Sequence, residues 1–357
     1  NKNAYCSNLF DTSFYKVEFT SKNIETDKIL EIKRIKNESL LSILKNILLE
    51  QHYNEINKKI TNDLTNTFIK NIIINDEKII NNKYLSNIKI NFDKKKIINY
   101  LRAENIPYVE YFPDNFLLII YEIDGINNNF LTKRNSYYTY INNNFENNKL
   151  FIIPNLDIND RFILKPEYIN NKEFKKLNNF FNKYKSNENL IIIANRNNNK
   201  VIYNMILYSD GNIIEKKIIN QNKDIDIFFE TLEYETLNLW KEINQIQNIS
   251  LNFINCKVNY FNMLELKEIR KKLYNISAIN NLNIKSLSYK NVEYNINYYG
   301  NTKILSKLFN LNQLNFYNHN KSCVIKLKWH NKKVSITHLK TIKMRQVSLK
   351  SVVAFVF

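Results

Sequence analysis

The sequence predicts a multidomain protein that combines small α+β units with a central α/β layer. Its 357 residues correspond to about two or three domains, and a hydrophobic share of 44% is sufficient for globular cores. Strand-like and helix-like patterns alternate along the chain, which favours a mixed architecture. All 4 prolines lie between Pro107 and Pro166, and this clustering indicates a domain junction and the loops after it.

Residues 1–112 are predicted to form a small N-terminal unit with the element order βαββα. Residues 14–20 alternate polar and apolar side chains as a strand does, and Asp93 is suited to cap a helix that Pro107 limits. The expected elements are strands over 14–20, 68–74 and 85–92, a helix over 27–49 and the helix that follows Asp93.

Residues 113–222 are predicted to form an α/β layer with mostly parallel strands. Continuous apolar runs are typical of strands that a parallel sheet buries on both faces. Such runs cover 116–121, 150–153 and 190–194, and helical patterns over 137–145 and 174–184 separate them. Asp210 and Gly211 suit the hairpin turn between two further, antiparallel strands, which cover 201–208 and 213–219.

Residues 223–248 are predicted to be a bridging helix, and residues 249–327 a second small α+β unit. Trp240 lies on the apolar stripe of the bridging helix, so we assign it to the core. We also assign structural roles to Pro154, among the junction loops, and to Gly300, in a turn that needs a positive φ. The expected elements after residue 248 are strands over 251–258, 282–287, 292–298, 314–316 and 324–327, a helix through Leu266, Ile269 and Leu273, a helix over 302–308, and a separate basic tail over 328–357.

The glycine content excludes several classes of nucleotide-binding and hydrolytic site. The chain has 3 glycines, Gly125, Gly211 and Gly300, whereas ordinary usage would give roughly 25. A dinucleotide fingerprint, a phosphate-binding P-loop and a nucleophile elbow each need at least two closely spaced glycines. The sequence therefore contains none of these motifs.

The charge distribution indicates an anionic partner for the C-terminal segment. The formal net charge is +18, but Asn, Ile and Lys dominate the chain as in an A/T-rich genome, so part of this charge reflects codon usage. No acidic residue follows Glu293, although Asp and Glu codons are also A/T-rich. We expect the segment to bind nucleic acid or anionic lipid, or else to be a solvated extension. The anion-binding candidates are Lys326, Lys328, Lys332, Lys333, Lys340, Lys343, Arg345 and Lys350.

The cysteines and the first residues bear on the cellular compartment. Cys6, Cys256 and Cys323 form no close pair in the sequence, which is compatible with a reducing compartment or with a single long-range bridge. Small residues alternate from Ala4 to Ser7 as in a signal-peptide cleavage region, although a ragged terminus would look the same. No apolar run approaches the ~18 residues of a membrane helix, so we expect no transmembrane helix.

Three groups of side chains are candidates for chemistry, each with a structural alternative. Asp157 and Asp160 follow a predicted buried strand and suit a cation or acid–base chemistry, or the capping of the next element. Cys323 lies near His319, His330 and His338, which are zinc-ligand types, but the spacing matches no zinc finger or ribbon. Tyr137, Tyr138 and Tyr140, beside Lys133 and Arg134, either stack bases or line a surface helix. We expect neither a cofactor nor a metal.

Several segments, in combination, resemble an uncharacterised domain family of Gram-negative bacteria, domain of unknown function number two-zero-six-six. The resemblance covers residues 14–327 and implies an exported, envelope-associated protein without an assigned reaction, and it carries over no functional residue. The matching segments are Asn91-Phe92-Asp93, Tyr100-Leu101, Ile106-Pro107, Phe116–Tyr121, Ile153-Pro154 with Asp157 and Asp160, Leu239-Trp240-Lys241, Ile269-Arg270 with Leu273, Ser286-Leu287-Ser288, and Tyr298-Tyr299-Gly300 with Leu305.

Three functions follow from these observations, in order of preference. The first is a non-catalytic binding or scaffolding protein of the periplasm or cell envelope, with a protein partner of unknown identity. The second is a nucleic-acid-binding, ribosome-associated protein of the cytoplasm that uses its basic C-terminal segment. The third is an enzyme that uses Asp157 and Asp160 as a carboxylate pair.

Overall fold

The computed structural model describes residues 9–125, 128–131, 135–144, 149–197, 200–220, 225–319 and 322–328. The chain divides into two compact units between Ser250 and Leu251. The described residues form three sheets and a set of helices, so the architecture is mixed α/β. The predicted boundaries at residues 112, 222 and 248 remain predictions.

The first part of the N-terminal unit forms a three-stranded antiparallel sheet. Strand β3 lies between β1 and β2, and its side chains alternate between buried and half-buried positions along the strand. Such alternation is expected where helices cover only one face. The elements are β1 (Tyr15–Thr20), α1 (Ile24–Ile47), α2 (Glu50–Asn57), α3 (Asn62–Phe68), β2 (Ile69–Ile80), β3 (Lys83–Phe92) and α4 (Lys94–Ala103).

Local capping explains where these helices begin. Asn23 accepts a hydrogen bond from the backbone N–H of Thr26 at the start of α1, and Asp93 accepts from Lys95 and Lys96 at the start of α4. The sequence analysis missed α2 and α3, because helices of this length show too few turns to display a periodic apolar stripe.

The second part of the N-terminal unit forms a mixed six-stranded sheet in the order β5–β4–β7–β8–β9, with β6 also beside β4. Strand β4 is buried along nearly its whole length. The elements are β4 (Phe116–Asp124), β5 (Asn128–Phe130), α5 (Ser136–Asn144), β6 (Phe151–Ile152), α6 (Ile158–Ile163), α7 (Pro166–Asn170), a 3-10 helix (Phe174–Leu177), α8 (Asn178–Lys183), β7 (Glu188–Asn197), β8 (Lys200–Ser209), β9 (Asn212–Asn220) and α9 (Ile225–Asn244).

The expectation of mostly parallel strands is not confirmed for this sheet. Strand β4 runs parallel to β6 and β7, but β4 with β5, β7 with β8, and β8 with β9 are antiparallel. A continuous apolar run indicates burial of both faces and carries no information about strand direction. Strand β8 is antiparallel to its neighbours and is still buried along most of its length.

A buried lysine joins α9 to the end of α1. The ammonium group of Lys241 donates hydrogen bonds to the carbonyl oxygens of Lys45, at 2.7 Å, and Leu48, at 2.8 Å. These carbonyl groups belong to the unsatisfied C-terminal end of α1, where a cation is favoured by the helix dipole. Burial and then the charge of Lys45 lower the pKa of Lys241 to about 8, against an ordinary value of about 10.4.

We expect the stability of the wild type, relative to Lys241→Met, to rise between about pH 8 and pH 10. In this range the unfolded lysine binds a proton that the folded lysine lacks, so the free energy of unfolding increases with pH, by roughly 1.4 kcal/mol per unit at most. Urea unfolding of both proteins at several pH values measures the difference, and identical pH slopes would contradict the assignment.

The C-terminal unit is built on one five-stranded sheet in the order β11–β12–β10–β14–β13. Helices α10 and α11 bury their apolar residues against the face of the sheet that carries the buried side chains of β10 and β12. The elements are β10 (Leu251–Asn259), α10 (Met263–Asn275), β11 (Ile279–Ser288), β12 (Asn291–Tyr299), α11 (Thr302–Leu311), β13 (Leu314–His319) and β14 (Ser322–Leu327).

A disulfide links Cys256 of β10 to Cys323 of β14. The two strands are parallel neighbours in which these residues are register partners, and their Cα atoms are 4.4 Å apart. This separation is within the usual range for a disulfide. Of the two alternatives that the sequence left open, the structure therefore contains the single long-range bridge.

The N-terminal sheet and part of the C-terminal sheet share one topology. Each has the order strand, helical crossover, strand, strand, helix, and in each the third strand lies between the first two. The outer strands β2 and β11 also each contain two irregularities of register. In the described part of the chain, no helix has both the length and the apolar character that crossing a membrane would require.

Candidate functional site

The structure brings Asp157 and Asp160 together at the N-terminus of α6. Asp157 caps this helix by accepting a hydrogen bond from the backbone N–H of Asp160, at 2.8 Å. Lys183 of α8 contacts both carboxylates, at 3.1 Å from Asp157 Oδ2 and 2.6 Å from Asp160 Oδ1. The hydroxyl of Tyr184 donates to Asp160 Oδ2 at 2.6 Å and accepts from the backbone N–H of Asn155.

This arrangement favours the capping alternative over a metal or catalytic site. The lysine occupies the space between the carboxylates, and the backbone N–H of Asp160 followed by Lys183 lowers the pKa of Asp157. Hydrogen bonding to Asp160 in turn raises the pKa of Lys183. Among the residues that the structure describes, no group of three or more His, Cys, Asp or Glu could hold a metal ion.

Asp160 should matter for stability far more than Asp157. Asp160→Asn should lower the free energy of unfolding by about 1.5–3 kcal/mol, because its fully buried carboxylate accepts charge-assisted hydrogen bonds. Asp157→Asn should change stability little, since asparagine caps helices as well as aspartate does. Urea unfolding of both variants provides the comparison, and equal effects would contradict it.

A second polar cluster lies at the carboxyl ends of the parallel strands β4 and β7. Arg196 Nε lies 2.9 Å from Glu122 Oε1. Ser136, at the start of α5, donates its backbone N–H and its hydroxyl to the same carboxylate, at 3.0 Å and 2.9 Å, and accepts a hydrogen bond from Arg196 Nη2 at 2.9 Å. Both oxygens of Glu122 therefore have partners, and the cluster fastens α5 to the two strand ends.

The tyrosines of α5 extend this cluster into the core and do not form a surface for bases. Tyr137 and Tyr138 are buried, which is contrary to the expected surface helix. The hydroxyl of Tyr137 donates to that of Tyr203 at 3.1 Å, and burial raises the pKa of both residues. The hydroxyl of Tyr138 accepts from the backbone N–H of Ile120, while Asn135 Nδ2 donates to the carbonyl oxygen of Ile120.

Sequence reasoning missed this cluster, although a signal was present. Glu122 directly follows the apolar run 116–121, and Arg196 lies two residues after the apolar run 190–194. A charged residue in such a position must find a partner or remain exposed. Two such residues of opposite charge on neighbouring strands could have been paired once the strand order was known.

The C-terminal sheet presents a polar open face, defined as the face turned away from α10 and α11. Asn283, Asn295 and Asn255 lie opposite one another across β11, β12 and β10, and we call them the amide row. Asn295 Nδ2 donates to Asn255 Oδ1 at 3.3 Å. A shallow depression includes the amide row and is also lined by Phe253, Ile284, Lys285 and Asn297.

The long end strands β2 and β11 each have an outer backbone edge that is open. Each lies at the end of its strand order, so no described strand pairs with its outer edge. Both carry exposed apolar side chains, Ile79 and Ile80 on β2, and Ile284 and Leu287 on β11. An open edge of this kind can accept another extended chain.

The remaining predicted residues divide between described and undescribed parts of the chain. Trp240 is buried, with Tyr111 edge-on at 5.2 Å between ring centroids; Pro154 is buried; and Gly300 has φ +81° before α11. Lys326 and Lys328 are exposed. Cys323 is bonded to Cys256 and is not free to bind zinc. The candidates that lie outside the described residues are Lys133, Arg134, His330, His338, Lys332, Lys333, Lys340, Lys343, Arg345 and Lys350.

Comparison with known proteins gives one distant similarity. No protein-family model matches the chain, and no solved structure gives a significant match. Protein Ycf2 of Marchantia polymorpha is 23% identical over 348 residues, an alignment that covers 88% of this chain and 15% of that protein. The chain therefore spans a small part of the length of this relative, and the similarity does not establish a family.

Proposed function

We propose that this chain is a non-catalytic binding module that acts as a scaffold for other proteins. The observation that carries the proposal is the pair of open edges on β2 and β11, which occupy the same position in two sheets of the same topology. A partner segment that adds as an extra strand gains main-chain hydrogen bonds, and its alternate side chains supply specificity.

The side chains of the edge strands suit apolar contacts with such a segment. Leu287 on β11 is 69% exposed and lies beside Ile284, while Ile79 and Ile80 are exposed on β2. The register irregularities interrupt each edge, between Asn75 and Lys78 on β2 and between Ile284 and Ser286 on β11. Bulges limit pairing with long flat strands, so we infer that short extended segments are the ligands.

Peptide selection tests this proposal directly. Extended peptides selected from a displayed random library on the full chain should bind about tenfold more weakly to Leu287→Asp, because a charge at the edge opposes the apolar contact. Leu264→Asp is the matched control, since Leu264 is 79% exposed on α10 in the same unit. The corresponding pair on the N-terminal sheet is Ile79→Asp with Ile29→Asp as control.

Amide hydrogen exchange locates the bound peptide. The proposal expects slower exchange on β11 or β2 when the peptide is present, because an added strand protects the outer amides. Peptides that bind the edge variants and the control variants equally, or that protect neither edge strand, would contradict the proposal.

We also propose that the protein resides in an oxidising compartment such as the periplasm or cell envelope. The register pairing of Cys256 with Cys323 supports this placement, because disulfides persist in such compartments and are rare in the cytosol. Membership of the bacterial envelope family remains part of the same proposal.

Thiol counting tests the compartment. Of the 3 cysteines, only Cys6 should react in denaturant without reductant, and all should react after reduction. The bridge spans a sequence separation of 67 residues, so its reduction should lower the free energy of unfolding by about 2–4 kcal/mol. For protein from its native cells, an alkylating reagent added at lysis traps every free thiol. Alkylation of all three cysteines in that sample would contradict the placement.

A further inference from the structure

We propose that the open face of the five-stranded sheet binds single-stranded nucleic acid. Phe253 serves as the stacking platform for a base, and the amide row supplies hydrogen bonds to base edges. Lys257, Lys285 and Lys326 contact phosphates. The site uses the face of the sheet and does not rest on the edge binding proposed above.

The charge of the open face favours an anionic ligand. Lys257 and Lys326 are exposed at outward positions of β10 and β14, and Lys285 lines the depression beside the amide row. Among the described residues, none of these three lysines lies within ion-pair distance of a carboxylate. Glu293 is the one acidic residue of the five strands, and it is the register partner of Lys257 on the open face. Unpaired lysines on one face release counterions when they meet phosphates.

The N-terminal sheet shows that this charge pattern is not general. There Glu18 of β1 lies 2.5 Å from Lys83 and 3.7 Å from Lys16, so two lysines of that sheet have an acidic neighbour. Ion pairs therefore involve two lysines of the N-terminal sheet and none of the three lysines on the described C-terminal strands. The open face of the C-terminal sheet is the better anion-binding surface of the two.

An exposed aromatic ring on the open face favours a nucleic acid over other anions as the ligand. Phe253 is 65% exposed near the start of β10, beside its register partner Asn297. Aromatic side chains on an open sheet stack bases with little dependence on sequence. A lipid headgroup or a polyphosphate has no flat ring to stack, so these ligands would leave Phe253 without a partner.

The amide row adds groups that complement bases. Each asparagine side chain offers both donors and an acceptor, and the edges of bases present both kinds of group. Neighbouring residues across strands lie about 5 Å apart, so the amide row extends across the sheet from β11 to β10. A flexible single strand can place its bases on this row, whereas the paired bases of a duplex are directed inward.

Fluorescence anisotropy with the full chain tests the aromatic contact. The probes are a labelled uridine oligonucleotide of about 12 nucleotides and a duplex of the same length. Phe253→Ala should weaken binding of the single strand about tenfold. The matched control is Phe261→Ala, because Phe261 is 72% exposed in the same unit but precedes α10.

The salt dependence tests the lysines. Between roughly 50 and 200 mM salt, the double variant Lys257→Gln, Lys285→Gln should reduce the slope of log K against log salt by about 1.4, since each single-strand phosphate contact contributes about 0.7. The control exchanges Lys267 and Lys271, which are exposed on α10, for glutamine. This control should leave the slope of log K against log salt unchanged.

Several outcomes would overturn the proposal. Equal losses in Phe253→Ala and Phe261→Ala would show that the open face is not the binding surface. Equal affinity for duplex and single strand would show attraction to bulk charge alone. Binding to phosphatidylserine vesicles that Phe253→Ala weakens, without binding of the oligonucleotide, would assign the face to lipid.

Discussion

Coverage of the sheets by helices on one face only is the constraint on which both proposals depend. In the C-terminal unit Ile254, Cys256 and Val258 point toward the helices, while Phe253, Asn255 and Lys257 point away. Because strand side chains alternate strictly, burying one set exposes the other. The N-terminal strand β3 follows the same alternation. The three-stranded and five-stranded sheets therefore each keep one face and one long outer edge for contacts with other molecules.

The six-stranded sheet is covered on both faces along its central strand β4, and we assign it no ligand. Strand β4 is buried on both faces, so polar groups near it must be satisfied within the protein. The side chains of Tyr138 and Asn135 make the hydrogen bonds to the backbone of Ile120 that a neighbouring strand would otherwise make. Arg196 and Ser136 contact the carboxylate of Glu122. A polar cluster at strand ends is often a ligand site in α/β layers, but here its hydrogen bonds are already made internally.

Local features were predictable from the sequence, and pairings between distant segments were not. The alternation along β3 and β12 and the helix cap at Asp93 follow from residue type and spacing. The antiparallel partners of β7, and the contact of Lys241 with the end of α1, depend on how separate segments meet. The pairing of Cys256 with Cys323 is of the same kind, because it requires β10 and β14 to be neighbours in register. The roles of Lys183 and Tyr184 at Asp160 were missed for this reason as well.

Codon usage explains the abundance of asparagine and lysine in this chain, but it does not explain their placement. An A/T-rich gene also encodes Asp and Glu freely, and acidic residues do accompany lysines on the N-terminal sheet, as Glu18 does. The described strands of the C-terminal sheet carry three lysines and one acidic residue, Glu293, and an exposed phenylalanine lies among the amides and lysines. Codon bias alone gives no reason to keep Phe253 exposed on this face. The excess of lysine over acidic residues, together with an exposed aromatic ring, is therefore the property that supports a binding face over a compositional accident.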